Sequence, residues 1–204
     1  GRNCGWLTAK SAEIYLEKLN NKIFLPTLNV LKQKWSIHGI YIPEENIVLD
    51  KEINRLNKVM DKYDCVNIFL SEGAGIDSII SDMKKNGLTI PKDPFGHIRL
   101  DEINPGEWFA KKLKSELRAD KVLVQKSGYF SRSAPSSKED LKIIFETVDI
   151  AIDSAVNGKS GVVGFDEDNS DKLDCINFSR IKGGKPFNIK SDWFLMMMKE
   201  IGQI

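Results

Sequence analysis

The stretch Lys121-Val122-Leu123-Val124-Gln125-Lys126-Ser127-Gly128-Tyr129-Phe130-Ser131-Arg132-Ser133 decides how the chain is read. Its apolar triplet, Val122 to Val124, predicts a strand over 121–125. The residues that follow bring a lysine, a glycine, an aromatic hydroxyl and an arginine to that strand's C-terminal end. In open α/β sheets ligands bind at such ends. Lys126 and Arg132, with Tyr129 between them, suit a phosphorylated ligand. Arginine offers phosphate a bidentate fork, and lysine adds a compact charge. A strand end carrying solvated charges fits the same spacing, so the rest of the chain must decide.

Working outward, strand-like and helix-like segments alternate. Before the opening stretch, Asn104-Pro105-Gly106-Glu107 predicts a helix start, with Asn104 as cap and Pro105 in the first turn. Phe109, Leu113 and Leu117 fall on one face of that helix. Residues 88–103 read as loop with a short strand over Ile98 to Leu100. Cys65 to Leu70 is a compact apolar run and predicts a buried strand. A small-residue turn follows it, Ser71-Glu72-Gly73-Ala74-Gly75, and then a helix from Ile76 to Lys85. A further helix is predicted over 50–63, a strand over His38 to Ile42, an irregular passage over 22–36 and a helix over 4–19. After the opening stretch, 138–156 is strongly amphipathic through Leu141, Ile144, Phe145, Val148, Ala151 and Ile152. Strands are expected at Gly161 to Phe165 and Leu173 to Phe178, with a closing helix from about Ser191. The pattern implies an α/β fold: a Rossmann-like, mainly parallel sheet with helices on both faces.

Composition narrows the function. The 204 residues carry 30 basic and 29 acidic side chains, a net charge of +1. A protein that coats nucleic acid would show a clear basic excess, so no nucleic-acid partner is expected. No apolar run approaches the roughly 20 residues of a membrane span, so no membrane partner is expected either. Cys4, Cys65 and Cys175 form no CxxC pair, and free thiols in a reducing cytoplasm account for them. The chain opens on Gly1-Arg2-Asn3-Cys4-Gly5-Trp6 and enters a helix at once. This reads as a piece of something longer, cut near an element boundary.

Three constellations hold chemistry. Glu72 sits on a turn beside glycines, where a carboxylate can accept hydrogen bonds from sugar hydroxyls; it equally suits the first turn of the next helix. Arg2 precedes a helix N-terminus, which makes a local anion site, or a frayed and solvated end. Lys182-Gly183-Gly184-Lys185 does not match a phosphate-binding loop and reads as a surface turn. His38 and His97 stand at no metal-ligand spacing and read as structural. Asp166, Asp168 and Asp171 lack the turn glycine and closing glutamate of a calcium loop and read as a solvated turn. No catalytic base or nucleophile stands out.

Together, Gly1-Arg2-x-x-Gly5-Trp6, Ser71 to Gly75, Asp93-Pro94-Phe95-Gly96-His97, Asn104 to Trp108 and Lys126 to Ser133 resemble the phosphofructokinase family, specifically its pyrophosphate-dependent branch. The resemblance runs from Gly1 to about Phe187 and covers the C-terminal part of such an enzyme. It implies an incomplete phosphofructokinase fold. It also implies transfer of phosphate from pyrophosphate, with Mg2+, to the 1-hydroxyl of fructose 6-phosphate in glycolysis or gluconeogenesis. Gly1 and Arg2 match the end of the family's Met-Gly-Arg motif. Glu72 matches the carboxylate that holds sugar hydroxyls. Tyr129, Phe130, Ser131 and Arg132 match the Tyr-x-x-Arg stretch that grips the 6-phosphate, and Lys126 falls where this branch carries a substrate-binding lysine.

Residues 1–133 would form the fructose 6-phosphate-binding domain. Residues 134–204 would cross back onto a donor domain, leaving the apolar face of the 138–156 helix exposed or covered by a partner chain. The family's Gly-Gly-Asp and Thr-Ile-Asp-x-Asp motifs do not occur in this sequence. The donor site, the Mg2+ site and the catalytic base are therefore expected upstream of Gly1. The resemblance further implies a cytoplasmic homodimer or larger homo-oligomer. Two alternatives remain at this point: an ATP-dependent phosphofructokinase, and a non-catalytic sugar-phosphate-binding module.

Overall fold

The computed structural model describes residues 3–96, 99–181 and 183–204, apart from the side chains of Leu100, Asp101, Tyr129, Ser131 and Arg132. The chain divides into two compact units. One comprises residues up to Val124 together with Gly184–Ile204, and the other is Gln125–Gly183. The closing segment thus returns to the first unit.

The first unit begins with helix α1 (Trp6–Asn20), followed by the single turn α2 (Lys32–Trp35) and strand β1 (Gly39–Tyr41). Helix α3 (Leu49–Tyr63) then leads to strand β2 (Ile68–Leu70). The strands pair in parallel, Gly39 opposite Ile68 and Tyr41 opposite Leu70. Parallel neighbours need a crossover, and α3 supplies it. Helix α4 (Ile76–Lys85), the short α5 (Leu100–Ile103) and α6 (Pro105–Glu116) follow.

Successive side chains of a strand point to opposite faces, and β1 shows the consequence. Ile40 and Ile42 enter one apolar cluster with Ala9, Ala12 and Leu16 of α1 and with Phe194 and Met198. Tyr41 enters a second cluster with Leu56 of α3, Ile79 of α4 and Phe109 and Leu113 of α6. Helices thus cover both faces of the sheet, as the alternating pattern implies. The closing helix α9 (Asp192–Glu200) seals the first cluster. Beyond it, Gln203 reaches β1: the Ile40 N–H donates to its Oε1 at 2.8 Å, and its Nε2 donates to the Ile40 carbonyl at 3.0 Å. A side-chain amide thereby satisfies backbone groups that β1 presents away from β2.

The second unit holds α7 (Gly128–Ser133), α8 (Lys138–Val156) and strands β3 (Val162–Asp166) and β4 (Lys172–Ile176). The Ser137 hydroxyl accepts from the Asp140 N–H at 3.1 Å, and the Asp140 carboxylate accepts from the Ser137 N–H at 3.1 Å. This reciprocal box fixes the start of α8. Strands β3 and β4 pair antiparallel, so the parallel expectation holds in the first unit while the second carries a hairpin. Helix α8 packs on that hairpin. Leu141, Ile144, Phe145, Val148, Ile152 and Val156 nevertheless remain exposed, the apolar surface expected for this segment.

Two predicted strands are corrected. Residues 121–126 carry no regular structure, and Leu123 is 81% exposed. An apolar triplet becomes a strand only where a neighbouring strand accepts its ladder, and among the described residues none does. Leu100 opens a helix instead of closing a strand, while Ile98 lies outside the described residues. The run from Cys65 is shortened to the half-buried Ile68–Leu70; ahead of it, the Cys65 thiol and the Asn67 side-chain amide donate to the Lys34 carbonyl of α2.

Candidate functional site

The turn after β2 places Glu72 at the C-terminal end of a parallel strand. The Ser71 N–H donates to the Tyr41 carbonyl at 2.9 Å, and the Ala74 N–H donates to the Ser71 carbonyl at 3.1 Å. These bonds, with Ser71 and Ala74 buried, fix the turn and leave Glu72 exposed. Gly75 has φ +65°, and a Cβ there would meet Phe109 Cζ at 2.6 Å. Both the conformation and the space demand glycine.

Lys126 precedes α7, with Ser127 at the N-cap position. Lys126 is exposed, and Phe130 is 69% exposed. The Tyr-x-x-Arg stretch is therefore on a short helix and not on a strand-end loop. The side chains of Tyr129, Ser131 and Arg132 lie outside the described residues, as do Gly1, Arg2, Lys182 and His97. Glu72 belongs to the first unit, and Lys126 through Arg132 to the second. Neither unit holds the whole candidate set.

Glu44 is not among the candidate residues that the sequence singles out. In the structure its carboxylate accepts from the Gly5 N–H at 3.0 Å through both oxygens, and from the Phe187 N–H at 2.8 Å. The usable signal was a carboxylate directly after a strand, close to a helix start with spare N–H groups.

His38 is structural, as expected. It is 6% exposed; its Nδ1 accepts from the Asn67 N–H at 3.0 Å, and Nε2 meets the Gln33 carbonyl at 2.9 Å. These partners select the neutral tautomer with the proton on Nε2. Burial pushes the imidazole below its usual value and Arg55 adds to this, against the bond to Gln33. The unfolded chain, titrating near about 6.5, then binds a proton that the folded state refuses. Stability is expected to be undiminished above that pH and to fall as pH drops through the window below it. Thermal melting across pH 7.5 to 5.5 tests this. A His38→Gln chain losing as much stability over that range as the parent would refute it.

The acidic turn is corrected. Asp166 is 6% exposed and accepts from Arg180 Nη1 at 2.7 Å and Nη2 at 2.5 Å, while Asp168 also receives Arg180. The Arg180 guanidinium holds the Asp166 carboxyl below its usual range. The turn closes the β3–β4 hairpin with an ion pair instead of facing water alone. Among the described residues no group of three or more His, Cys, Asp or Glu could hold a metal ion.

No family model matches the chain. Curated relatives do, along its whole length. It is 49% identical over 203 residues to a pyrophosphate--fructose 6-phosphate 1-phosphotransferase of Methylomonas methanica. It is 50% identical over 203 residues to the protein of that name from Mastigamoeba balamuthi, and 48% identical over 203 residues to that from Propionibacterium freudenreichii subsp. shermanii. The chain is similar to half of a pyrophosphate-dependent phosphofructokinase. Each match covers 100% of this chain and 50% of the relative, so the chain spans about half the length of the curated relatives it matches. The phosphofructokinase resemblance drawn from five short motifs thus extends over every element of both units. No described helix is long and apolar enough to cross a membrane.

Proposed function

We propose that this chain is part of a pyrophosphate-dependent 6-phosphofructokinase and supplies its sugar-phosphate side. The observation that carries this reading is the identity of 48–50% along the whole chain to proteins named for that reaction. Arg2, Lys126 and Arg132 would bind the 6-phosphate of fructose 6-phosphate. Tyr129 would direct a hydrogen bond to it, with Gly1, Phe130 and Ser131 shaping the approach. Glu72 would accept from sugar hydroxyls. The exposed turn after a parallel strand suits that role, since ligands of open α/β sheets gather at strand C-termini. Phosphoryl transfer also needs charge on the donor and a base at the attacking hydroxyl. Neither the motifs nor the described geometry of this chain supplies these, so we assign donor, Mg2+ and base to the remaining half of the enzyme. The three free cysteines fit a reducing cytoplasm. The exposed apolar face of α8 supports burial against further protein in a homodimer or larger assembly.

The test is turnover. The 204-residue chain alone is expected to convert no fructose 6-phosphate with pyrophosphate, while a protein carrying it together with the remaining half does so, with pyrophosphate preferred over ATP. Turnover by the 204-residue chain alone would overturn the division of labour, and ATP preference in the longer protein would overturn the choice of donor.

A further inference from the structure

We infer that Glu44 is a positioning residue for the acceptor site, a role that rests on the phosphofructokinase reading above. Three parts of the first unit converge on its half-buried carboxylate. Glu44 itself follows β1 at the strand's C-terminal end. Gly5 stands at the start of α1, 39 residues away in sequence, and Phe187 lies in the returning segment, 143 residues away. Oε1 accepts from both backbone N–H groups, and Oε2 accepts from Gly5 as well.

The approach is close by construction. Gly5 adopts an ordinary right-handed conformation, φ −82°, so conformation does not explain the glycine. Space does. A Cβ on Gly5 would meet Ile42 Cβ at 2.5 Å, Ile42 Cγ2 at 2.7 Å and Glu44 Oε2 at 2.8 Å. The chain before α1 is therefore seated against the end of β1 and held there by charge-assisted bonds. Phe187 is fixed on its other side by rings, with Trp6 at 5.5 Å and Phe194 at 5.0 Å between centroids.

The functional consequence follows from covalent connection. Arg2 is three residues before Gly5, so whatever fixes Gly5 limits where the arginine can reach. In this role Glu44 need not meet the ligand itself. It acts through the backbone of Gly5, and its effect falls on the sugar phosphate and not on the donor.

The experiment uses the longer, pyrophosphate-active protein. Glu44→Ala is expected to raise KM for fructose 6-phosphate about tenfold, the cost of a lost charge-assisted bond. KM for pyrophosphate should stay unchanged. Glu44→Gln keeps one carbonyl oxygen in place and should recover part of the loss. Gly5→Ala, which wedges the same contact open, should raise the same KM. An unchanged KM for fructose 6-phosphate in Glu44→Ala would overturn the inference. So would equal rises in both KM values, with a lowered Tm that Glu44→Gln leaves unrepaired, since that is a purely structural role. If the unsubstituted protein shows no pyrophosphate-dependent turnover, the reading beneath the inference falls, and the inference with it.

Discussion

Glu52→Ala is expected to cost about 3–5 kcal/mol of stability, the cost of breaking a buried ion pair by removing one partner. Glu52 is buried on α3 and accepts three hydrogen bonds from two side chains. The Tyr41 hydroxyl donates to Oε2 at 2.8 Å, Arg55 Nε donates to Oε1 at 3.1 Å, and Arg55 Nη2 donates to Oε2 at 2.7 Å. The same Nη2 also donates to the His38 carbonyl at 2.7 Å. The side chains of the ion pair are only 17% and 10% exposed, so solvent screens it little. Burial first, and then the Glu52 carboxylate, keep the Tyr41 hydroxyl protonated far above its usual range. Removing the carboxylate strands a guanidinium and a phenol in a site from which water is largely excluded. Against a total stability of about 5–15 kcal/mol, the loss is severe. Chemical denaturation gives the number. A double replacement, Glu52→Met with Arg55→Met, should cost less than the single one, because it leaves no orphaned charge. If the double replacement were the worse of the two, the orphaned-charge account would be wrong.

Arg132→Ala is expected to lower kcat/KM for fructose 6-phosphate by on the order of a hundredfold in the longer, active protein. Under the proposed function this guanidinium grips the 6-phosphate through a planar fork. Alanine removes both bonds and the charge. Lysine restores charge without the fork, so Arg132→Lys should recover only part of the loss. Kinetics with pyrophosphate as the varied substrate should change little. A variant whose KM for fructose 6-phosphate equals that of the parent would remove Arg132 from the acceptor site.

Elements held by local interactions were legible in the sequence. The helix expected over 138–156 is α8, because an apolar repeat of helical period and a Ser137–Asp140 box lie within one segment. The helix from Ile76 to Lys85 was legible for the same reason, with glycines on both sides to end it. The strand at 121–125 was not, since strand formation depends on a neighbour distant in sequence. The solvated reading of Asp166 failed likewise: Arg180 reaches it from the far side of the hairpin. Among candidate site residues, the placement of Glu72 on a turn after a parallel strand was legible from alternation and small residues. The helical placement of Phe130 was not.

By itself the sequence determined the α/β alternation, the helical faces and the motifs that resemble a phosphofructokinase. Periodicity, caps and residue chemistry act over a few residues and are written in order along the chain. Only the tertiary structure decided that the last segment returns to seal the first unit, that Gln203 satisfies the backbone of β1, and that Glu44 ties Gly5 to Phe187. Each joins groups far apart in sequence, and which partner meets which is set by how the apolar faces pack.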